Sequence, residues 1–411
     1  MGNIYTGIDL GTDSIKIVVV EKIRNKFNLL ASTSTPSSYI NNGEISNTKG
    51  CVNALKGALS EIEDMLGLKI DKAICALNPV NLKMDIVEGS VKVDDPSSIT
   101  GVDISNLLND AIDKVDLEDA ELVTATPINF LIDDNKRVSD PKGLKGEELS
   151  SKIVVSSIDK KAMYRVLEVL KMAGVDTVDV CFKSTGDYYI VKNSEYDKLV
   201  GAIINIGEES TNVSVFNKGI QIKNSIVNMG SKHVDRDISY IFNCELETSR
   251  DLKENFALCF AEDADENESV TIKNKDDEDK EVKQVAISKI VEARVREILK
   301  LAGEEIKNLT NRKISYIIVT GGLSEIDGMD HLVDVYFEGI GKVAQIYVMG
   351  IRHNKYSSVL GSCIYFDDKL NLRGKTYNMV NESEFDNLVS IDSEMSNNNN
   401  FVNRVFGHFF D

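Results

Sequence analysis

The strongest restriction on the fold comes from a pattern written twice, about two hundred residues apart. Residues 4–10 are a β-branched, apolar run that ends in the polar turn Gly11-Thr12-Asp13-Ser14, and a second such run resumes over 15–20. Residues 200–206 lead into Gly207-Glu208-Glu209-Ser210-Thr211, and a strand resumes from Asn212 to residue 216. A tight turn between antiparallel strands can aim several backbone N–H groups at one anion when small or hydroxylated residues keep the approach clear. Asp9, at the first strand end, could hold Mg²⁺ through water, because that ion prefers oxygen ligands and keeps part of its hydration shell. Lys16 can reach back toward the same charge. One such turn alone is better explained as an ordinary hairpin. A third element makes the set more specific: a strand over 314–319 ends in Thr320-Gly321-Gly322. Adjacent glycines there would let a flat base or a ribose approach the backbone closely.

The chain of 411 residues exceeds what one hydrophobic core organises, so at least two domains are expected. Apolar residues recur at helical spacing over 52–66, and a short buried strand is expected over 72–77. Residues 83–160 change texture, with strands expected over 87–93, 122–132 and 152–156 and a helix over 104–115, as in a small α+β insertion. A helix over 160–173 closes on Gly174, and a strand follows over 175–182. The acidic stretch 262–281 is expected to be an exposed hairpin and 285–309 a long amphipathic helix.

Several function classes are disfavoured. A net charge of −19 with no basic stripe argues against nucleic acid as a partner. No apolar run reaches the roughly 18 residues that span a bilayer. The first residues, MGNIYTGIDL, lack the basic and apolar regions of a leader. Six scattered cysteines without C-x-x-C spacing suit buried thiols rather than zinc or disulfides. The four histidines show no metal spacing.

Beyond about residue 373 the chain turns polar, and 381–400, with four consecutive asparagines, has linker composition. On a helical wheel the last eleven residues segregate. Phe401, Val402, Val405, Phe406, Phe409 and Phe410 share one half, while Asn403, Arg404, Gly407, His408 and Asp411 share the other. Such a helix suits reversible insertion at a lipid surface, or docking on the chain's own body or a partner.

The order of the three glycine-bearing elements resembles the two phosphate motifs and the adenosine motif of the actin superfamily. The closer resemblance is to the FtsA family and covers nearly the whole chain. It is carried also by N-N-G-E-I-S near 43, D-P-K-G-L-K-G-E-E-L-S at 140–150, V-N-M-G-S-K-H-V-D-R-D-I-S at 227–239, I-V-E-A-R-V-R-E-I-L at 290–299, and the terminal amphipathic peptide. It implies an α/β, actin-like two-lobed ATPase fold of ribonuclease H-like repeats, with a small α+β subdomain inserted in the first lobe. The implied division is 1–82 plus 161–199 for the first-lobe core, with 360–380 a candidate to return to it, and 83–160 for the insertion. The second lobe would take 200–235 plus 312–359 as its core and 236–311 as its upper subdomain. A linker at 381–400 and a membrane-targeting helix at 401–411 complete it.

The same resemblance implies ATP and Mg²⁺ as cofactors. It assigns phosphate contacts to Gly11, Thr12, Asp13, Ser14, Lys16, Gly207, Glu208, Ser210, Thr211 and Asn212. Adenosine contacts fall to Gly230, Lys232, Glu292, Arg296, Gly321, Gly322 and Leu323, and water-mediated metal contacts to Asp9 and Asn205. Glu292 and Arg296 also suit a plain i,i+4 pair on a solvated helix face. The implied partners are FtsZ, further copies of the chain in a head-to-tail polymer, other division proteins, and membrane lipid through the terminal helix, at the cytoplasmic face of the division site.

Three departures from the family pattern point to slow hydrolysis. Asn205 stands where an Asp is usual and brings no charge, and Glu208 and Glu209 replace glycines, so their side chains are expected to point outward. Lys183 falls near the usual water-polarising Glu or Gln, although it also suits a solvated loop. A PilM-like pilus scaffold and a small-molecule kinase of the same superfamily are the alternatives.

Overall fold

The computed structural model describes residues 2–41 and 43–380. The linker 381–400 and the apolar tail carrying Phe401 to Phe410 lie outside the described residues. The chain divides into two compact units. Among the described residues, the first holds 2–189, 347–351 and 358–380, and the second holds 190–346 and 352–357.

The first unit opens with an antiparallel meander, β1 (Asn3–Leu10), β2 (Ser14–Ile23) and β3 (Lys26–Pro36). A two-residue ribbon, β4 (Ile40–Asn41) with β5 (Glu44–Ile45), leads into α1 (Thr48–Leu66). The Asn47 side chain accepts from the Gly50 N–H at the start of α1, and Gly67, with φ 67°, ends it. The strand β6 (Lys72–Leu77) then pairs in parallel with β1.

The insertion follows as β7 (Lys83–Lys92), α2 (Gly101–Ile112), β8 (Ala120–Ile132), β9 (Lys136–Val138) and β10 (Glu148–Asp159). Its strands form a separate antiparallel sheet, β7-β10-β8-β9. Leu107 of α2 packs with Phe130, Ile153 and Val155 in its own core. The helix starts earlier than its apolar spacing suggests, because Thr100 and Asp103 form a reciprocal capping box. Next, α3 (Lys160–Ala173) ends on Gly174 at φ 92°, and β11 (Asp176–Phe182) joins β6. Leu55 and Ile62 of α1 and Leu170 of α3 cover one face of the sheet β11-β6-β1-β2-β3, meeting Ile8 and Ile17. The short α4 (Lys183–Val191) closes this stretch.

The second unit repeats the plan. The meander β12 (Val200–Ile206), β13 (Thr211–Asn217) and β14 (Ile220–Val227) leads to α5 (Ser231–Phe242) and α6 (Leu246–Asn255). The acidic stretch is a hairpin, β15 (Ser269–Lys273) with β16 (Asp279–Lys283), and the long helix is α7 (Gln284–Leu309). After β17 (Tyr316–Thr320) come α8 (Met329–Tyr336) and β18 (Gly341–Val343). The sheet order is β14-β13-β12-β17-β18. It matches β3-β2-β1-β6-β11 strand for strand and sense for sense, with an antiparallel meander followed by two parallel partners. The duplication hinted at by the two turns therefore extends to whole sheets.

The helix α9 (Ser357–Leu372) returns to the first unit. It crosses α4 glycine on glycine: a Cβ on Gly361 would overlap the carbonyl of Gly186, and one on Gly186 would overlap that of Ser358. Asp187 of α4 accepts from the Ser358 hydroxyl at 2.7 Å. Although the sequence turns polar after residue 373, residues 378–380 are docked. The Met379 N–H donates to Ile4 O at 3.1 Å, the Ile4 N–H donates to Asn378 Oδ1 at 3.1 Å, and Val380 joins the first core. All six cysteines are free and buried, and burial pushes the Cys51 thiol up to about 11 and Cys75 to about 12.

Candidate functional site

Strand register places the two predicted turns in equivalent positions. Asp9 is the penultimate residue of β1, opposite Lys16 on β2 and beside Ala76 on β6. Asn205 is the penultimate residue of β12, opposite Asn212 on β13 and beside Thr320 on β17. Each turn closes the same way: Gly11 N–H donates to Ser14 O at 3.1 Å, and Gly207 N–H donates to Ser210 O at 3.0 Å.

In the first unit the turn is backed by a buried ion pair. Asp9 is 4% exposed, and its Oδ1 lies 2.6 Å from Nζ of Lys183, the first residue of α4. Lys183 is thus no solvated loop lysine. The β1 strand end and the close α4–α9 crossing bring these two residues together from distant parts of the sequence. Lys16 Nζ lies 3.5 Å from Ser14 O, and Ser14 is an internal tie whose Oγ accepts from Ser34.

In the second unit the turn is clamped to the start of α5. The N–H groups of Ser231 and Lys232 donate to the carbonyls of Gly207 and Glu208, both at 2.9 Å. Gly230 must lack a side chain, because a Cβ would come within 2.5 Å of both carbonyls. Thr211 donates its hydroxyl to Met229 O at 2.7 Å. Asn212 carries a buried Oδ1 with no hydrogen-bond partner among the described residues. The acidic pair does not project to solvent as expected. Glu208 meets Arg250 of α6 at 2.9 Å and Glu209 meets Lys232 at 3.3 Å, so neighbouring cations offset both charges. Arg250 and the Lys253–Asp235 pair beneath it, at 2.6 Å, went unnoticed in the sequence. Their only signal is two cations three residues apart on α6.

Gly321 adopts φ 94°, and a Cβ there would meet Ile206 O at 2.5 Å and Asn205 Oδ1 at 2.6 Å. Gly322 has open space where its Cβ would be, and Leu323 is buried in the second core. One glycine therefore serves packing, while its neighbour leaves room for a ligand. Glu292 and Arg296 form the i,i+4 pair at 2.6 Å, and Glu292 also accepts from the Ala261 N–H at 2.7 Å. These bonds make the pair a brace between α7 and the loop at 261.

In the second unit, the Gly207–Ser210 turn and the open space at Gly322 suit a phosphorylated, flat ligand. A directly bound divalent metal suits the residues poorly. The Asp9 carboxylate is already neutralised by Lys183, Asn205 is uncharged, and no cluster of three acidic, His or Cys ligands occurs among the described residues.

Known proteins resemble this chain in sequence and in fold. A family profile described as cell division protein FtsA matches residues 202–361. A second, described as the SHS2 domain inserted in FtsA, matches 80–157. Together they span more than half of the chain. The cell division protein FtsA of Bacillus subtilis is 24% identical over 362 residues, which are 87% of this chain and 82% of that protein. FtsA of Staphylococcus epidermidis is 25% identical over 396 residues, 95% and 85% of the two chains. Among solved structures, a PilM–PilN type IV pilus biogenesis complex aligns with a TM-score of 0.59 at 15% identity, covering 88% of this chain and 98% of that one. MreB5 of Spiroplasma citri bound to ADP aligns with a TM-score of 0.55 at 13% identity, covering 90% and 98%. The fold is the actin-like one, with a small α+β subdomain inserted in the first α/β unit.

Proposed function

The chain belongs to the FtsA family of actin-like cell-division proteins, and on that premise we propose that it binds ATP, assembles head to tail, and holds FtsZ filaments at the cytoplasmic face of the membrane. The observation that carries nucleotide binding is the register-matched pair of turns, Gly11 to Ser14 and Gly207 to Ser210, each hung from an equivalent strand end. Backbone N–H groups and hydroxyls at those turns serve the phosphates. The open face at Gly322 receives the adenosine.

Turnover is slow in this proposal. A hydrolase needs an acceptor to orient the attacking water, and Lys183 brings a donor instead. ATP then acts as a state-selecting ligand, favouring the polymer-competent conformation that binds it better. Membrane attachment is assigned to Phe401, Val402, Val405, Phe406, Phe409 and Phe410. That apolar pattern speaks against a soluble pilus scaffold, and the neutralised Asp9 speaks against a kinase.

The test is co-sedimentation of purified FtsZ filaments with lipid vesicles in the presence of this chain and ATP, with phosphate release read from the same sample. FtsZ in the vesicle pellet only when this chain is present, with slow phosphate release, is the expected result. FtsZ left in the supernatant, or turnover as fast as that of a metabolic kinase, would sink the proposal.

Two glycine variants separate packing from binding. Gly321→Ala strains a left-handed residue and drives Cβ into the β12 backbone, so a loss of about 2–3 kcal/mol in stability is expected. Gly322→Ala meets nothing, so thermal melting should be unchanged while ATP affinity, measured by calorimetry, weakens about tenfold or more. Unchanged affinity in Gly322→Ala would remove that residue from the adenosine site.

A further inference from the structure

At the end of β1 lies a cation that the chain supplies itself. Asp9 sits where a water-mediated metal contact is expected, yet its carboxylate is buried against the Lys183 ammonium at 2.6 Å. The equivalent residue of the second unit, Asn205, carries no charge. Within the first unit the strand end therefore offers a divalent ion no net negative charge, because its single carboxylate is offset by the lysine. The phosphates of a nucleotide still need positive charge beside them. Lys183 is paired with Asp9, at the strand end that leads into the Gly11 turn, and Lys16 lies beside that turn, close enough that a Cβ on Gly11 would stand 3.2 Å from its Nζ.

We propose that Lys183 is a built-in counterion for the nucleotide's polyphosphate, so that this chain retains most of its ATP affinity when Mg²⁺ is withdrawn. This rests on the ATP-binding proposal above. The lysine is well placed for the role because its position is fixed twice. It starts α4, which the Gly186–Gly361 crossing presses against α9, and Asp9 holds its side chain over the strand end. A pre-positioned ammonium loses little freedom when phosphate arrives. By sharing its charge between Asp9 and a phosphate oxygen, it would supply positive charge that a hydrated Mg²⁺ would otherwise bring.

The experiment is ATP titration of the full chain by calorimetry in excess Mg²⁺ and in excess EDTA, for the wild type, Lys183→Gln and Asp9→Asn, with circular dichroism as a check on folding. For the wild type, withdrawing the metal is expected to weaken binding by less than about tenfold. Lys183→Gln should bind about tenfold more weakly with Mg²⁺ and at least about a hundredfold more weakly without it. Asp9→Asn releases the ammonium and should tighten metal-free binding. Wild-type affinity that falls about a hundredfold or more in EDTA overturns the inference while leaving ATP binding intact. Absence of binding in both buffers overturns the nucleotide proposal, and this inference with it. Should a variant fail to fold, the wild-type comparison decides alone.

Discussion

Ending the chain at Ser396, which removes residues 397–411, is expected to lower the vesicle-bound fraction at least tenfold while leaving the melting curve of the remainder unchanged. The deleted segment contains Phe401, Val402, Val405, Phe406, Phe409 and Phe410. Full burial of one Phe or Val gains about 1.5–3 kcal/mol, but a helix lying in the interface buries each only in part and must first order itself. Electrostatic help is small, since the segment carries one Arg and one His beside Asp411 and the chain as a whole is at −19. On the proposed membrane role, a single tail would therefore be a reversible anchor. Many tails on one polymer raise the local concentration of anchors and amplify binding by a factor on the order of 10²–10⁴. The truncation should consequently cost most when ATP is present and the chain is assembled. Equal sedimentation of the two proteins with vesicles would take the membrane role away from the tail.

A second large effect is expected from Gly361→Ala. The added methyl falls on the carbonyl of Gly186, which is backbone and cannot rotate away, so α4 and α9 must separate. Overpacking of this kind typically costs about 1–3 kcal/mol, and a clash between two helix backbones belongs at or above the upper end. The melting transition of the first unit should fall by on the order of 10 °C. The loss reaches the candidate site as well, because Lys183 is the first residue of α4 and its distance to Asp9 depends on that crossing. ATP affinity should fall with stability, and in EDTA more than in Mg²⁺. Normal melting with normal binding would mean that the two helices part without consequence.

The parts of this architecture that were legible in the sequence are those written locally. β6 was bounded by its own apolar run, and α3 by its spacing and by Gly174, which takes the left-handed conformation that ends a helix. The hairpin β15–β16 showed as two short apolar clusters around charge. α9 was not legible, because residues 357–363 are all buried and such a helix has no polar face to set a period. The docking of residues 378–380 was hidden for a different reason: it rests on main-chain bonds to β1 and one side chain, within a stretch whose composition reads as linker. In the candidate site, the turns and glycines were readable as motifs, but their charge partners were not. Lys183 with Asp9, and Arg250 with Glu208, join residues far apart in the chain, and only the fold decides that they meet.

That docked segment also has a mechanical meaning. Residues 381–411 continue from Val380, so any tension on the tail enters the body through Asn378 and Met379 and their bonds to Ile4 and Thr6. The member that receives this load is β1, whose opposite end carries Asp9 and the first turn. On the membrane role proposed for the tail, this one strand would link the anchor to the first turn. On that proposal, a pull on the tail would be delivered along the strand that carries the candidate phosphate turn.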